Sequence, residues 1–251
     1  MIPTDELSGK TALITGGARG IGRGVALKLA QAGANLVINY LEREDSAHEV
    51  AEWIRGMGRK VLLCKADVCD ETQVAAMFQA AGSEFGRLDI LVNNVGPFLV
   101  RKVLKMSLAE WKLMIDANLT SAFLVAREAI KLFDRGEAGG NIVFIGAPNA
   151  ERVGSQSESC AYSIAKTGVV ILAHTLARDL GEKGIRVNVV NPGFIENDSM
   201  TPRMREWMPH EVPLARIGTP ANIGDAVLYL VSDRAAYVSG TVINVHGGLW
   251  V

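Results

Sequence analysis

Tyr162 and Lys166 stand four residues apart in the stretch Tyr162-Ser163-Ile164-Ala165-Lys166. On a helix that spacing puts both side chains on one face. A phenol titrates near ~10 in water and is a poor base at neutral pH. A neighbouring ammonium favours the phenolate, so Lys166 is expected to bring Tyr162 down towards neutrality. The pair would then serve as general acid for a reduction or general base for an oxidation. Tyr and Lys at this spacing also occur on many helices as plain surface residues. What gives this pair weight is its place, after the fifth apolar run of the chain. The C-terminal ends of strands in open α/β sheets are where ligands bind.

A second constellation lies near the N-terminus. The first apolar run leads into Thr15-Gly16-Gly17-Ala18-Arg19-Gly20-Ile21-Gly22, and a helical pattern follows. Glycines let the backbone turn sharply and approach a pyrophosphate seated on the helix N-terminus. Gly16, Gly20, Ile21 and Gly22 are therefore expected around a dinucleotide. The spacing is G-x-x-x-G-x-G, not G-x-G-x-x-G, and the plainer alternative is a turn that merely needs glycine. Its position after the first strand of a βαβ unit argues against that. The second apolar run ends in Asn39-Tyr40, without the acid that NAD-binding units usually place there. Arg19 inside the glycine turn and Arg43 just beyond the run suit a 2′-phosphate instead. These residues favour NADP(H) over NAD(H), with Glu42 and Glu44 as the counter-indication.

The elements that must position these groups are readable as a rhythm. Apolar runs at residues 11–16, 35–40, 61–67, 90–95, 141–146, 186–191 and 242–246 alternate with helical patterns at 21–32, 44–57, 71–85, 107–133, 161–180 and 221–231. Several runs are apolar almost throughout, as parallel strands covered on both faces are. Gly33, Gly58 and Gly86 close three of the helices. The expected fold is α/β: a single Rossmann-type, doubly wound domain over residues 1–251, with a seven-stranded parallel sheet and helices on both faces. Residues 194–220 break the rhythm with Met, Pro and charge. They are expected to be a loop segment covering the substrate, with Met200, Met204, Trp207 and Met208 shaping the pocket.

Composition sets the remaining bounds. Of 251 residues, 49% are hydrophobic and 21% charged, as in ordinary soluble domains. A net charge of -1 gives no field that would favour nucleic acid or anionic membrane. Cys64, Cys69 and Cys160 show no metal spacing and fit free thiols in a reducing compartment. No stretch reads as a membrane span or signal peptide. The expectation is a cytoplasmic protein without a metal, a nucleic-acid partner or a membrane partner.

Taken in order, several motifs match one family. They are Thr15-Gly16…Gly20-Ile21-Gly22, Ala66-Asp67-Val68, Asn93-Asn94-Val95-Gly96, Asn118 in Asp116-Ala117-Asn118-Leu119, Tyr162…Lys166, and Asn191-Pro192-Gly193. On these the chain resembles the short-chain dehydrogenase/reductases over essentially its whole length. Pro192-Gly193-Phe194-Ile195-Glu196, Pro213-Leu214-Ala215-Arg216-Ile217-Gly218 and Val238-Ser239-Gly240…Gly247-Gly248 make it most similar to bacterial 3-oxoacyl-acyl-carrier-protein reductases. The resemblance implies that Asp67 bonds the adenine, with the Val68 backbone beside it, and that Asn93 and Gly96 line the cofactor cleft. It implies that Asn118 holds a water in a proton relay, that Lys166 also binds the nicotinamide ribose, and that Pro192, Gly193 and Ile195 pack on the nicotinamide. The implied activity is an NADPH-dependent oxidoreductase giving hydride to the carbonyl of a 3-oxoacyl thioester or a small ketone, with Tyr162 as general acid. The implied partners are acyl-carrier protein and further copies of the chain. A homotetramer would pair residues 107–133 and 161–180 and use the tail 242–251. Lys183 is the candidate basic contact for an acidic carrier; the loop 135–140 adds only Arg135 against Glu137.

Two positions depart from the family's pattern. Val95 replaces the usual alanine. More seriously, the fifth run ends Ile145-Gly146-Ala147, with alanine where the family places a carbonyl-polarising serine. The loop onward to Tyr162 is also longer than usual. Asn149, Ser155, Ser157 and Ser159 are the candidate substitutes. The alternative reading is a non-catalytic NADP-binding homologue with Ala147 marking lost chemistry. Retention of Tyr162, Lys166 and Asn118 together favours the enzyme, because mere binding needs no proton relay.

Overall fold

The aliphatic runs become strands because almost every residue in them is buried from both sides. In β1 (Thr11–Ile14), Leu13 packs into one apolar cluster and Ile14 into another on the opposite face. The same holds along β2 (Asn35–Tyr40), β4 (Ile90–Asn93), β5 (Gly140–Ile145) and β6 (Ile185–Pro192), whereas the edge strands β3 (Val61–Lys65) and β7 (Val242–Val245) are only partly buried. This computed structural model describes residues 5–133, 139–152, 154 and 157–249. All seven strands form one parallel sheet in the order β3-β2-β1-β4-β5-β6-β7. Helices α1 (Gly20–Gln31), α2 (Glu44–Gly56) and α8 (Pro220–Val231) cover one face. Helices α3 (Glu71–Phe85), α5 (Ser121–Phe133) and α6 (Cys160–Asp179) cover the other. The strand order reverses between β1 and β4, which opens a crevice beyond the strands' C-terminal ends.

Three elements differ from the sequence reading. The helix expected over 107–133 is broken into α4 (Leu108–Ile115), one π-helical turn over Asp116–Thr120, and α5. Side chains compete with the backbone at the break. Asn118 donates to the Met114 carbonyl at 3.0 Å and Ser121 to the Ala117 carbonyl at 2.8 Å. Such bulges commonly mark functional positions. Residues 194–220 are not loop throughout: Thr201 caps α7 (Pro202–Glu211), accepting from the Met204 amide, with Pro202 in the first turn where its missing N–H costs nothing. Finally, α6 is long and apolar enough by composition to cross a membrane, contrary to the expectation that no stretch is. It packs instead on the sheet through Ala161, Ala165, Val169 and Ala173, and leaves Ile164 and Ile171 exposed.

Candidate active site

A cleft of about 1680 Å³ runs along the C-terminal ends of the strands. Its floor is stitched by three polar side chains. The buried Thr15 hydroxyl accepts from the Asn94 amide at 2.9 Å and the Val95 amide at 3.2 Å, and Asn94 Nδ2 donates back to the Thr15 carbonyl at 3.0 Å. Asn39 Oδ1 accepts from the Gly16 amide at 3.2 Å, while its Nδ2 donates to the Ala66 carbonyl at 2.9 Å. The glycine turn is thereby fixed to β2, β3 and β4. Gly16 and Gly20 hold φ of 60° and 52°, a region that costs glycine nothing. Gly16, Arg19, Gly20 and Ile21 line the cleft. Gly22 lies behind them, where a methyl group would overlap the Gly16 carbonyl oxygen. Helix α1 has no acid in its first turn, so its positive end faces the cleft uncompensated.

Further along the same wall come Tyr40 and Arg43, then Asp67 and Val68. Tyr40 is buried against Ala18 and Ala47, and Arg43 is the left-handed N-cap of α2 with φ of 62°. Of the two acids that argue against a 2′-phosphate, Glu44 is turned out to Lys65 at 3.1 Å, and Glu42 remains on the wall. Asp67 spends one oxygen on the Cys69 amide at 2.9 Å. Asn93 does not line the cleft as expected. It is buried, and its Nδ2 donates to the Ala122 carbonyl at 3.2 Å, tying β4 to α5. Its neighbour Asn94 takes the place at the cleft.

Tyr162 and Lys166 share one face of α6 and both line the cleft. Lys166 is buried, donates from Nζ to the Ile145 carbonyl at 2.8 Å, and stands 5.9 Å from the Tyr162 ring centre. Burial pushes its ammonium down to about 8. Burial also pushes the Tyr162 phenol up to about 12, the reverse of the sequence expectation. The reason is geometric: the ammonium is committed to a backbone carbonyl, so desolvation outweighs its attraction for a phenolate. At neutral pH Tyr162 therefore keeps its proton, and Lys166 keeps its charge.

Asn118 sits one layer behind this pair. It is buried in the π-turn and donates to the Pro97 carbonyl at 3.1 Å as well as to Met114. Its Oδ1 is buried without a hydrogen-bond partner. A methyl group at Gly96 would run into that oxygen and would stand 2.9 Å from Lys166 Nζ. Gly96, which lines the cleft, therefore keeps the space between an unpartnered acceptor and a buried ammonium.

Pro192, Gly193 and Ile195 line the cleft as well. Met200, Met204 and Met208 face the cleft, while Trp207 supports it indirectly, edge-on to Phe194 at 5.5 Å. Phe98, unremarked in the sequence, meets the Tyr162 ring edge-on at 4.9 Å and is 61% exposed. The signal for it was position alone: it follows Gly96 after a strand end. Of the candidate serine substitutes, Asn149 and Ser159 line the cleft beside Ala147; Ser157 is exposed, and Ser155 lies outside the described residues. So do residues 134–138 of the loop before β5 and the terminal Trp250-Val251. Lys183 is not at the cleft. It belongs to the turn Gly181–Lys183 that leads into the N-terminal end of β6, at the opposite edge of the sheet. Among the described residues no three His, Cys, Asp or Glu side chains gather as a metal would require.

Comparison with known proteins agrees with this geometry. A family model described as enoyl-(acyl carrier protein) reductase matches residues 16–250. A 3-oxoacyl-[acyl-carrier-protein] reductase, FabG, of Staphylococcus aureus is 37% identical over 245 residues, covering 96% of this chain and 98% of the relative. A short-chain dehydrogenase from Burkholderia cenocepacia, solved in complex with NADP, superposes with a TM-score of 0.90 at 30% identity, covering 97% of this chain and 98% of that one. A 7α-hydroxysteroid dehydrogenase, solved with NADH and 7-oxo glycochenodeoxycholic acid, superposes at 0.91 with 33% identity over 98% of this chain and 96% of that one. The doubly wound sheet, the glycine turn and the Tyr162–Lys166 face thus belong to an oxidoreductase of the short-chain dehydrogenase/reductase family.

Proposed function

We propose that this chain reduces a carbonyl compound to the alcohol, with NADPH as hydride donor and Tyr162 as general acid. The observation that carries the reading is the placement of Tyr162 and the buried Lys166 on one helix face, lining a cleft that begins at a glycine turn. As the carbonyl carbon is reduced, its oxygen takes the Tyr162 proton. The Lys166 ammonium stabilises the phenolate left behind, and the acceptor Asn118 Oδ1 would hold a water that supplies the replacement proton. The cleft fits the dinucleotide where glycine is required by space: side chains at Gly22 or Gly96 would close it or disturb its lining.

The reading takes Arg19 and Arg43 as the 2′-phosphate pair, with Tyr40 between them. The Burkholderia relative was solved with NADP, in line with that choice. Charge-assisted hydrogen bonds of this kind contribute about 1.5–3 kcal/mol each. Arg19→Ala should therefore lower the ratio of kcat/KM for NADPH over NADH by about tenfold or more. Equal use of the two cofactors by the native protein would refute the assignment.

The substrate class is a 3-oxoacyl thioester or a small ketone, entering under residues 194–220, where Met200, Met204 and Met208 give an apolar cover. Kinship to the Staphylococcus reductase makes acyl-carrier protein the first macromolecular partner to try. The proposed setting is the cytoplasm, as a single domain over residues 1–251. A screen of NADPH oxidation against ketones and 3-oxoacyl thioesters tests the reading; cofactor binding with no turnover on any carbonyl would favour the non-catalytic alternative that Ala147 suggests.

A homotetramer is part of the same reading. Phe123 on α5 and Ile164 and Ile171 on α6 are exposed apolar residues of the kind a second copy covers. Light scattering at micromolar concentration should give four times the 26.9 kDa chain mass. A monomer mass would count against it.

A further inference from the structure

The turn that carries Ala147 also offers the cleft a second hydrogen-bond donor. After β5 the chain reverses at Ala147-Pro148-Asn149-Ala150, closed by the Ala150 amide donating to the Ala147 carbonyl at 3.1 Å. Proline stands second and a residue with φ of 57° third, the signature of a type II turn, for which asparagine is suited. The Arg152 amide then returns to the Asn149 carbonyl at 2.9 Å. Between these bonds Glu151 reaches across the sheet, accepting from Asn191 Nδ2 at 2.7 Å and Asn244 Nδ2 at 2.8 Å at the ends of β6 and β7. The turn is therefore fixed to the sheet, and its cleft-facing side chains have defined places.

Two of those side chains matter. Ala147 is a buried methyl with nothing to donate, and Asn149 lines the same wall. The Asn149 amide makes no hydrogen bond within the described residues; only its backbone carbonyl is used. Ser159 also lines the cleft, but its hydroxyl lies 3.4 Å from that of Ser163, which supplies it a partner. A carbonyl oxygen gains negative charge as hydride adds to its carbon, and that charge is best stabilised by more than one aimed donor. Tyr162 is one.

Resting on the reductase reading above, we infer that Asn149 is the second: its Nδ2–H donates to the substrate carbonyl oxygen opposite Tyr162. The hydride forms the new C–H bond, the carbonyl π electrons move to oxygen, and oxygen takes the Tyr162 proton. Asn149 keeps its own proton throughout and acts as a catalytic donor by polarisation alone.

The test uses the full-length protein and two variants that preserve the turn. Asn149→Gly keeps the positive φ without a side chain, and Asn149→Asp keeps the shape but replaces the donor with a carboxylate. Both should lower kcat/KM for reduction by about 10²–10³-fold. NADPH affinity, read by fluorescence titration, should stay within about threefold, since the loss is confined to the transition state. Ala147→Ser placed on Asn149→Gly should recover about tenfold or more by restoring a hydroxyl donor. Turnover within about threefold of native in Asn149→Gly overturns the inference, as does a loss of the expected size in Ser159→Ala alone. Failure of the inference is distinguishable from failure of the reading. If Tyr162→Phe is inactive while Asn149→Gly is fully active, only the Asn149 assignment falls. If the native protein binds NADPH and reduces no carbonyl, both fall together.

Discussion

Replacing Tyr162 with phenylalanine should lower kcat/KM for NADPH-driven reduction by about 10²–10⁴-fold, the usual worth of a positioned general acid. The change removes one oxygen and keeps the ring, so the edge contact with Phe98 at 4.9 Å survives and the fold should not suffer. Because burial already holds the Tyr162 phenol up to about 12, the native group is in its acid form across neutral pH. The step that titrates is the stabilisation of the phenolate after proton transfer, which needs Lys166 charged. That ammonium is pushed down to about 8. Below that pH Lys166 is protonated and the reduction rate should be flat. Above it the ammonium is lost and the rate should fall. The oxidation of an alcohol needs the phenolate and should run the other way, rising with pH. The limb belongs to the Tyr162–Lys166 pair and not to either residue alone. Stopped-flow or steady-state rates from about pH 6 to about pH 10 check it, a range that brackets the Lys166 ammonium. A Tyr162→Phe enzyme with near-native turnover, or a reduction rate that climbs through pH 8 or so, would remove Tyr162 from the role of acid.

Most of what positions this chemistry was legible in local sequence, because it depends on short-range signals. Several near-continuous aliphatic runs read as parallel strands covered on both faces, and Gly33, Gly58 and Gly86 do end helices with φ of 107°, 75° and 75°. What escaped depends on partners distant in the chain. Nothing in residues 107–133 says that Asn118 will reach the Pro97 carbonyl and open a π-turn. Asn93 and Asn94 are indistinguishable as residue types, yet one is turned to α5 and the other to the glycine turn. The phenol's titration was misjudged for the same reason. Spacing on a helix shows that Tyr162 and Lys166 share a face; it does not show that the ammonium's nearest acceptor is the Ile145 carbonyl. The turn after β5 was different: Pro148-Asn149 is a local turn signal, but its clamp by Glu151 on Asn191 and Asn244 is tertiary.

Gly96→Ala should lower kcat by about 10²-fold with only a small change in overall stability, because a shift of roughly 1 Å in catalytic groups costs that much. The added methyl would run into Asn118 Oδ1, and it would stand 2.9 Å from Lys166 Nζ and 3.3 Å from Lys166 Cε. Neither neighbour can swing away freely. Asn118 is held by two carbonyls and Lys166 by a third, and both side chains are buried. The strain therefore has two outlets. Lys166 leaves the Ile145 carbonyl, or the segment after β4 lifts into the cleft and carries Phe98 away from Tyr162. Either outlet displaces the proton machinery while leaving the sheet intact. Overpacking of this kind typically costs about 1–3 kcal/mol, so a modest fall in Tm should accompany the loss of rate. Gly56→Ala is the matched control: it sits in the last turn of α2, where the new methyl meets nothing beyond its own stretch of helix, and it should leave kcat native and Tm native or slightly raised. Measuring kcat, KM and Tm for the two variants separates the outcomes. A Gly96→Ala enzyme that loses Tm but keeps its native kcat would show that the space between Asn118 and Lys166 serves packing alone, and would remove Asn118 from the proton path.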